Sequence, residues 1–140
     1  MVIGLPYLWI VGSTGQNLGI GAAALLAFGT PVVLGYGCLA IALSAAFEGV
    51  RAGLLTGMAI LLVSATPLVL GASLRRTVIG QWFDAVNPLA IALNALDAIV
   101  IDSQPLSSEM IHLGMVVVWF VLAAVLATNL VRGMGNRGLA

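Results

Sequence analysis

Long uncharged runs separated by short polar breaks organise this chain. No charged residue occurs from Met1 to Phe47, none lies between Arg51 and Arg75, and from Met110 to Val131 the sole ionisable group is His112. A helix needs about 20 mostly apolar residues to cross about 30 Å of hydrocarbon. Leu18–Phe47 (30 residues), Ala52–Leu74 (23 residues) and Ile111–Val131 (21 residues) each meet that requirement. As a straight helix the first would measure about 45 Å, longer than the hydrocarbon core. Gly29, Thr30 and Pro31 fall near its middle. Because proline removes a backbone donor and kinks helices, the pattern predicts one bent or tilted helix there rather than two spans.

The remaining segments are shorter. Met1–Val11 is apolar but covers only about 16 Å as a helix, half a bilayer. It runs into the turn-forming cluster Gly12-Ser13-Thr14-Gly15-Gln16-Asn17, which predicts a partial N-terminal helix, either interfacial or the tail of a longer one. It has neither the basic n-region nor the A-x-A-like site of a signal peptide. Thr77–Met110 carries Asp84, Asn87, Asn94, Asp97, Asp102 and Glu109 on an otherwise apolar background. Asn87-Pro88 reads as a helix start, since asparagine caps and proline suits the first helical position. That helix would end near Ile101, before Asp102-Ser103-Gln104-Pro105. At about 21 Å it is too short for a comfortable crossing, and Asn94 and Asp97 make lipid exposure costly. The expectation is a re-entrant helix over 88–101, packed on protein. Ser107 or Ser108 should cap the last span, with Glu109 in its first turn, and Arg132 and Arg137 should form a short polar tail.

The chain thus reads as one all-α transmembrane domain over 1–140: full spans near 18–47, 52–74 and 111–131, a partial N-terminal helix and a re-entrant helix near 88–101. Composition agrees. Hydrophobic residues make up 61% and charged residues 7%, against about 25% charged in soluble domains. Mean hydropathy is +1.17. Net charge is zero and no basic patch is present to hold phosphates, so nucleic acid is not an expected partner, whereas membrane lipid is. There is no lysine, which excludes a P-loop lysine, a Schiff base and a lysine general base in this polypeptide. With one histidine and one cysteine, a zinc cluster, a catalytic triad or a bis-histidine haem site cannot be assembled. No catalytic, metal or cofactor residue is expected.

Orientation follows two rules that disagree. Positive residues favour the cytoplasm, and Arg132 and Arg137 place the C-terminus there. If 88–101 does not cross, Arg51 is inside and Arg75-Arg76 outside, a weak bias. If it crosses, four arginines lie inside and one outside. Charge prefers the crossing arrangement. Length and polarity prefer the re-entrant one, because an Asp and an Asn in a short span cost several kcal/mol on insertion scales.

Three local patterns stand out. Gly49-x-x-x-Gly53-x-x-x-Gly57 puts three glycines on one helix face, where backbones can approach closely, either in a moving transporter core or in ordinary packing. Glu109-x-x-His112 has the i, i+3 spacing of carboxylate metal sites, but in one copy and with no second histidine, so a polar helix entrance explains it better. Asn94 and Asp97 share a face that suits either a polar path or a watery interface.

The stretch Gly37–Ala52, GCLAIALSAAFEGVRA, resembles type-2 ABC exporter permeases (the ABC-2 family), with Gly37, Ser44, Phe47, Arg51 and Ala52 carrying the likeness. It looks like the end of that family's fourth helix and its cytoplasmic turn. A very apolar fifth helix, an external Asn-Pro-like element and a last helix with a short basic tail would follow, as Ala52–Leu74, Trp82–Ala90 and Ile111–Arg137 do here. Leu5-Pro6 and the Gly12–Asn17 turn would match the third helix and its outer loop. The chain resembles the C-terminal half of such permeases, and Glu48 stands where the family often carries a basic residue. The resemblance implies a permease component without catalytic residues in a prokaryotic inner membrane. Its partners would be a separate ABC ATPase subunit and permease helices supplied by another chain, in a hetero- or homo-oligomer. It also implies that Glu48–Arg51 forms a cytoplasmic turn, that Gly49, Gly53 and Gly57 let helices slide, and that Asn87, Pro88, Asn94 and Asp97 belong to an outer re-entrant cap. The alternative from composition alone is a small structural subunit of a larger membrane complex. An independent small multidrug-type transporter fits less well, because such proteins need a carboxylate within a full span.

Overall fold

The computed structural model describes Pro6, Trp9, Gly12, Ser13 and residues 17–47, 50–69 and 77–137. Among these residues the chain is helical and no strand occurs. The elements are α1 (Leu18–Ala46), α2 (Val50–Val69), α3 (Val78–Val86), α4 (Pro88–Val100), a 3-10 turn (Leu106–Glu109) and α5 (Met110–Arg137). Two helical stretches are long and apolar enough to cross a membrane, Leu18–Ala46 and Leu106–Met134.

α1 is the central element and packs against α2, α4 and α5. It starts at Asn17, whose side-chain oxygen accepts from the Gly19 N–H at 2.9 Å and so satisfies one orphan donor of the first turn. It continues unbroken through Pro31, so the expected single helix forms. The hydroxyls of Ser44, Thr66 and Thr128 donate to carbonyls four residues back, at 2.8, 2.9 and 2.8 Å. A hydroxyl that closes on its own helix needs no water.

The burial pattern reverses that of a water-soluble bundle. The most buried helix is the short α4, with Ala90, Ile91, Ala92, Ala95, Leu96, Ile99 and Val100 all inside. Of these, Ile91, Ala92, Ala95, Leu96 and Ile99 pack with Ala24, Phe28 and Val32 of α1 and Val116 of α5 into the core. Phe28, Ile99 and Val116 are the largest fully buried side chains. The long helices leave large apolar residues outward, among them Leu26 and Val33 on α1, Leu55 and Leu62 on α2, and Ile111 and Leu122 on α5. A surface of this kind suits acyl chains and not water.

Small residues decide where backbones meet. A Cβ added at Gly53 would fall inside the van der Waals radius of the Ser44 backbone, and one at Gly57 would lie 3.6 Å from the Ala40 Cβ. Positions 53 and 57 thus face 44 and 40 in order, which makes α2 antiparallel to α1. On the opposite flank, a Cβ at Gly35 would overlap the Trp119 ring.

Several expectations need correction. Gly12 and Ser13 were expected in a turn and are helical. Neither Ser107 nor Ser108 caps the last helix: a 3-10 turn intervenes, its N-cap is Pro105, and the Ser108 hydroxyl donates back to the Pro105 carbonyl at 2.7 Å. Leu106 is drawn onto the core, and the tighter turn brings it there. The polar end of the chain that carries Arg132 and Arg137 is helical, since α5 continues through both. α3 was not foreseen at all. The greater part of the partial N-terminal helix, Glu48, Gly49, Leu70–Leu74 and Arg75-Arg76 lie outside the described residues.

The α1–α2 seam generates a paired prediction. Gly53→Ala should destabilise the fold by about 1–3 kcal/mol, the usual cost of overpacking. Gly37→Ala, where an added Cβ meets nothing within 4 Å, should be neutral or slightly stabilising. Unfolding midpoints of both variants in one detergent check this contrast.

Candidate functional site: an uncharged aromatic pocket at a helix break

Asn87 ends one helix and begins the next. It is the C-cap of α3, where its N–H reaches the Phe83 carbonyl at 2.9 Å, and the N-cap of α4, where its side-chain oxygen accepts from the Leu89 N–H at 3.1 Å. Pro88 occupies the first position of α4, where a missing N–H has no consequence. The two helices meet at 88°. Thr77 starts α3, accepting from the Gly80 N–H at 3.1 Å.

A third contact fixes the break in the bundle. The Asn87 amide donates to the Ser64 carbonyl of α2 at 2.7 Å, and Asn87 itself is only 5% exposed. The Ser64 side chain lines the same pocket as Tyr36 of α1. Tyr36 packs on Trp119 of α5, ring centroids 4.9 Å apart and planes inclined by 51°. Offset and tilted ring pairs of this kind are favourable. Trp119 reaches this position because Gly35 has no side chain to obstruct it. A polar contact at the break therefore ties α2 to the α3–α4 junction, and an aromatic contact joins α1 to α5 beside it.

Around this cluster is a cavity of about 230 Å³, lined by Tyr36, Leu39, Ile60, Ser64, Phe83, Val86, Asn87, Pro88 and Trp119. No charged side chain is among them. The lining offers two hydroxyls, one carboxamide and three aromatic rings. It holds no nucleophile paired with a base, and nothing in it would drive covalent chemistry.

The sequence-derived candidates fall in different places. Asn87 and Pro88 line the pocket. Asn94 and Asp97 share α4 with them but are exposed, and Arg51 is exposed near the start of α2. Gly53 and Gly57 lie at the α1–α2 seam, while Glu48 and Gly49 are outside the described residues. His112 Nδ1 meets Glu109 Oε2 at the exposed start of α5, and no group of three or more metal-ligating residues occurs among the described residues. Tyr36, Ser64 and Trp119 were missed. A tyrosine and a serine inside apolar runs could have signalled a polar contact, but nothing in sequence pairs them.

The fold defines an all-helical protein whose two long apolar helices are compatible with residence in a membrane. No protein-family model, curated protein or solved structure matches the chain.

Both roles of the Asn87 side chain are separable. Asn87→Ala removes the cap and the tie to Ser64 and should cost about 2–3 kcal/mol. Asn87→Ser restores only the cap and should recover about half of that. Midpoints of unfolding in mixed micelles read the difference; equal losses for the two variants would show that the tie to α2 dominates.

Proposed function

We propose that this chain is a transmembrane permease component of an ATP-driven type-2 ABC exporter, corresponding to the C-terminal half of such a permease and supplying helices but no ATPase chemistry. The observation that carries this reading is the bent pair α3–α4, which lies between α2 and α5 in sequence and is held to α2 at Asn87. In the resembled family a re-entrant Asn-Pro element occupies that place in the order of helices.

Geometry supports a re-entrant pair rather than a crossing one. Asn87 contacts Ser64, well along α2, and shares a pocket with Tyr36 and Trp119, which lie partway along α1 and α5. The tip of the pair is therefore at mid-depth of the bundle. α4 then packs its apolar face against Ala24, Phe28 and Val32, in the first half of α1, and Val116, in the first half of α5. This is the course of a chain that turns back towards the side from which α1 and α5 start. The proposed arrangement has three full spans (near 18–47, 52–74 and 111–131), a partial helix before them, and α3–α4 as the outer cap. Arg51 and the C-terminus face the cytoplasm, in the prokaryotic inner membrane.

The outward apolar faces of α2 and α5 suit either lipid or further permease helices. Gly53 and Gly57 give α1 and α2 a close seam along which small shear steps are possible. Asn94 and Asp97, exposed on α4, are the groups that a second permease chain or the outer aqueous layer would meet.

Affinity purification from native membranes in mild detergent tests the assignment. An ABC ATPase should copurify, together with further permease helices. A large cofactor-bearing complex without an ATPase would replace the exporter reading with that of a structural subunit.

The topology has its own test. In a Cys38→Ser background, Thr77→Cys and Gln104→Cys should both react with a membrane-impermeant maleimide from the outer side, and Arg51→Cys only after permeabilisation. Labelling of positions 77 and 104 from opposite sides would mean that α3–α4 crosses.

A further inference from the structure

The cavity at the helix break has unused recognition capacity, and we infer that it binds a small uncharged molecule with a flat one-ring body and a hydroxyl group. The inference concerns the chain itself and stands independently of the exporter reading.

Size comes first. The cavity measures about 230 Å³. An enclosed apolar cavity of about 150 Å³ accepts a benzene-sized ring; this cleft is open on one side and has room for a ring with substituents. Shape follows from the walls. Tyr36, Phe83 and Trp119 contribute rings, and the fixed tilt of Tyr36 against Trp119 presents rigid faces. Flat bodies stack on such faces with a gain beyond the area they bury.

Charge and hydrogen bonding complete the specification. With no ionisable side chain other than the Tyr36 phenol in the lining, an ion would enter without a counter-charge and lose its hydration. A pure hydrocarbon would leave polar groups unmet. The Asn87 carboxamide has two N–H donors, of which the Ser64 carbonyl takes one. The Ser64 and Tyr36 hydroxyls in the lining each bring a donor proton and acceptor lone pairs that a ligand hydroxyl can meet. These groups belong to α1, α2 and the α3–α4 junction, so the polar end of a ligand would meet them together. A lipid acyl chain is apolar along its length and cannot satisfy them.

The test uses the full chain in nanodiscs of saturated phosphatidylcholine. Trp9 and Trp82 are exposed and outside the lining, so a Trp9→Phe/Trp82→Phe background leaves Trp119, the third of the chain's three tryptophans, as the reporter. The probe is 4-bromophenol in its neutral form, whose bromine quenches indole emission on contact. Quenching should saturate, and bromobenzene, lacking the hydroxyl, should need at least about fivefold more for half-quenching. Ser64→Ala leaves the backbone carbonyl that holds Asn87 in place, and Tyr36→Phe keeps the ring on Trp119. Each should raise the half-quenching concentration about fivefold, the equivalent of one hydrogen bond of about 1 kcal/mol. Unchanged helical circular dichroism and elution volume establish that the variants are folded. Quenching that rises linearly with probe, as simple partition into lipid would give, overturns the inference, as do folded variants that bind like the parent. Full quenching of Trp119 by brominated-acyl lipid, with 4-bromophenol adding nothing, overturns it in favour of an acyl chain as occupant. No ATPase or partner chain enters the measurement, so its outcome is separate from that of copurification.

Discussion

Pairing of backbone polar groups without help from water is the constraint from which the rest of this structure follows. Apolar runs of this length place peptide groups where the surrounding side chains offer no hydrogen bonds, and a helix is the local conformation that satisfies each N–H and C=O within its own segment. The same pressure is visible in the side chains. Ser44, Thr66 and Thr128 return their hydroxyls to the carbonyl of the preceding turn, and Asn17, Thr77 and Asn87 supply oxygens to helix starts. Once the backbone is settled in this way, helices of similar apolar character have little hydrophobic reason to prefer one another over lipid, and association depends on close packing and on the few polar contacts between helices.

Both kinds of contact are present, at different levels of the bundle. At one level Gly53 and Gly57 bring α2 against Ser44 and Ala40 of α1, and side-chain volume is the deciding quantity. At another, Gly35 admits the Trp119 ring, so an absent side chain on α1 determines where the largest side chain of α5 sits. Between the helices, the Asn87 bond to the Ser64 carbonyl is a strong local determinant, because a carboxamide buried away from water without a partner would cost about 1–3 kcal/mol. One residue thus ends α3, starts α4 and anchors the bend to α2. The pocket exists because this bend forces chain direction to change next to three aromatic rings, which cannot fill the corner completely.

The inverted burial of α4 has the same origin. Thirteen residues cannot span the hydrocarbon alone, so a helix of that length is stable in an apolar bundle only when longer helices surround it. Ile91, Ala92, Ala95, Leu96 and Ile99 face α1 and α5, and the polar positions Asn94 and Asp97 turn outward. α3 behaves differently: Val78, Ile79, Trp82 and Val86 are exposed on it, and its Phe83 points to the pocket.

Local chemistry made much of this legible in the sequence. Uncharged runs gave the long helices, Asn87-Pro88 gave the start of α4 to the residue, and the 3.6-residue period put Gly53 and Gly57 on one face. These features depend on neighbours within a few positions along the chain, which sequence records directly. Tertiary structure decided the rest. It made α3 a helix, replaced the serine cap with a 3-10 turn that brings Leu106 to the core, and carried α5 through Arg132. It also brought Tyr36, Ser64, Asn87 and Trp119 together across four elements. Partners so distant along the chain meet only when helices adopt particular rotations and depths. In a chain whose helices are apolar all round, no periodic stripe announces those rotations, and they are set by where small side chains and the polar contacts between helices coincide.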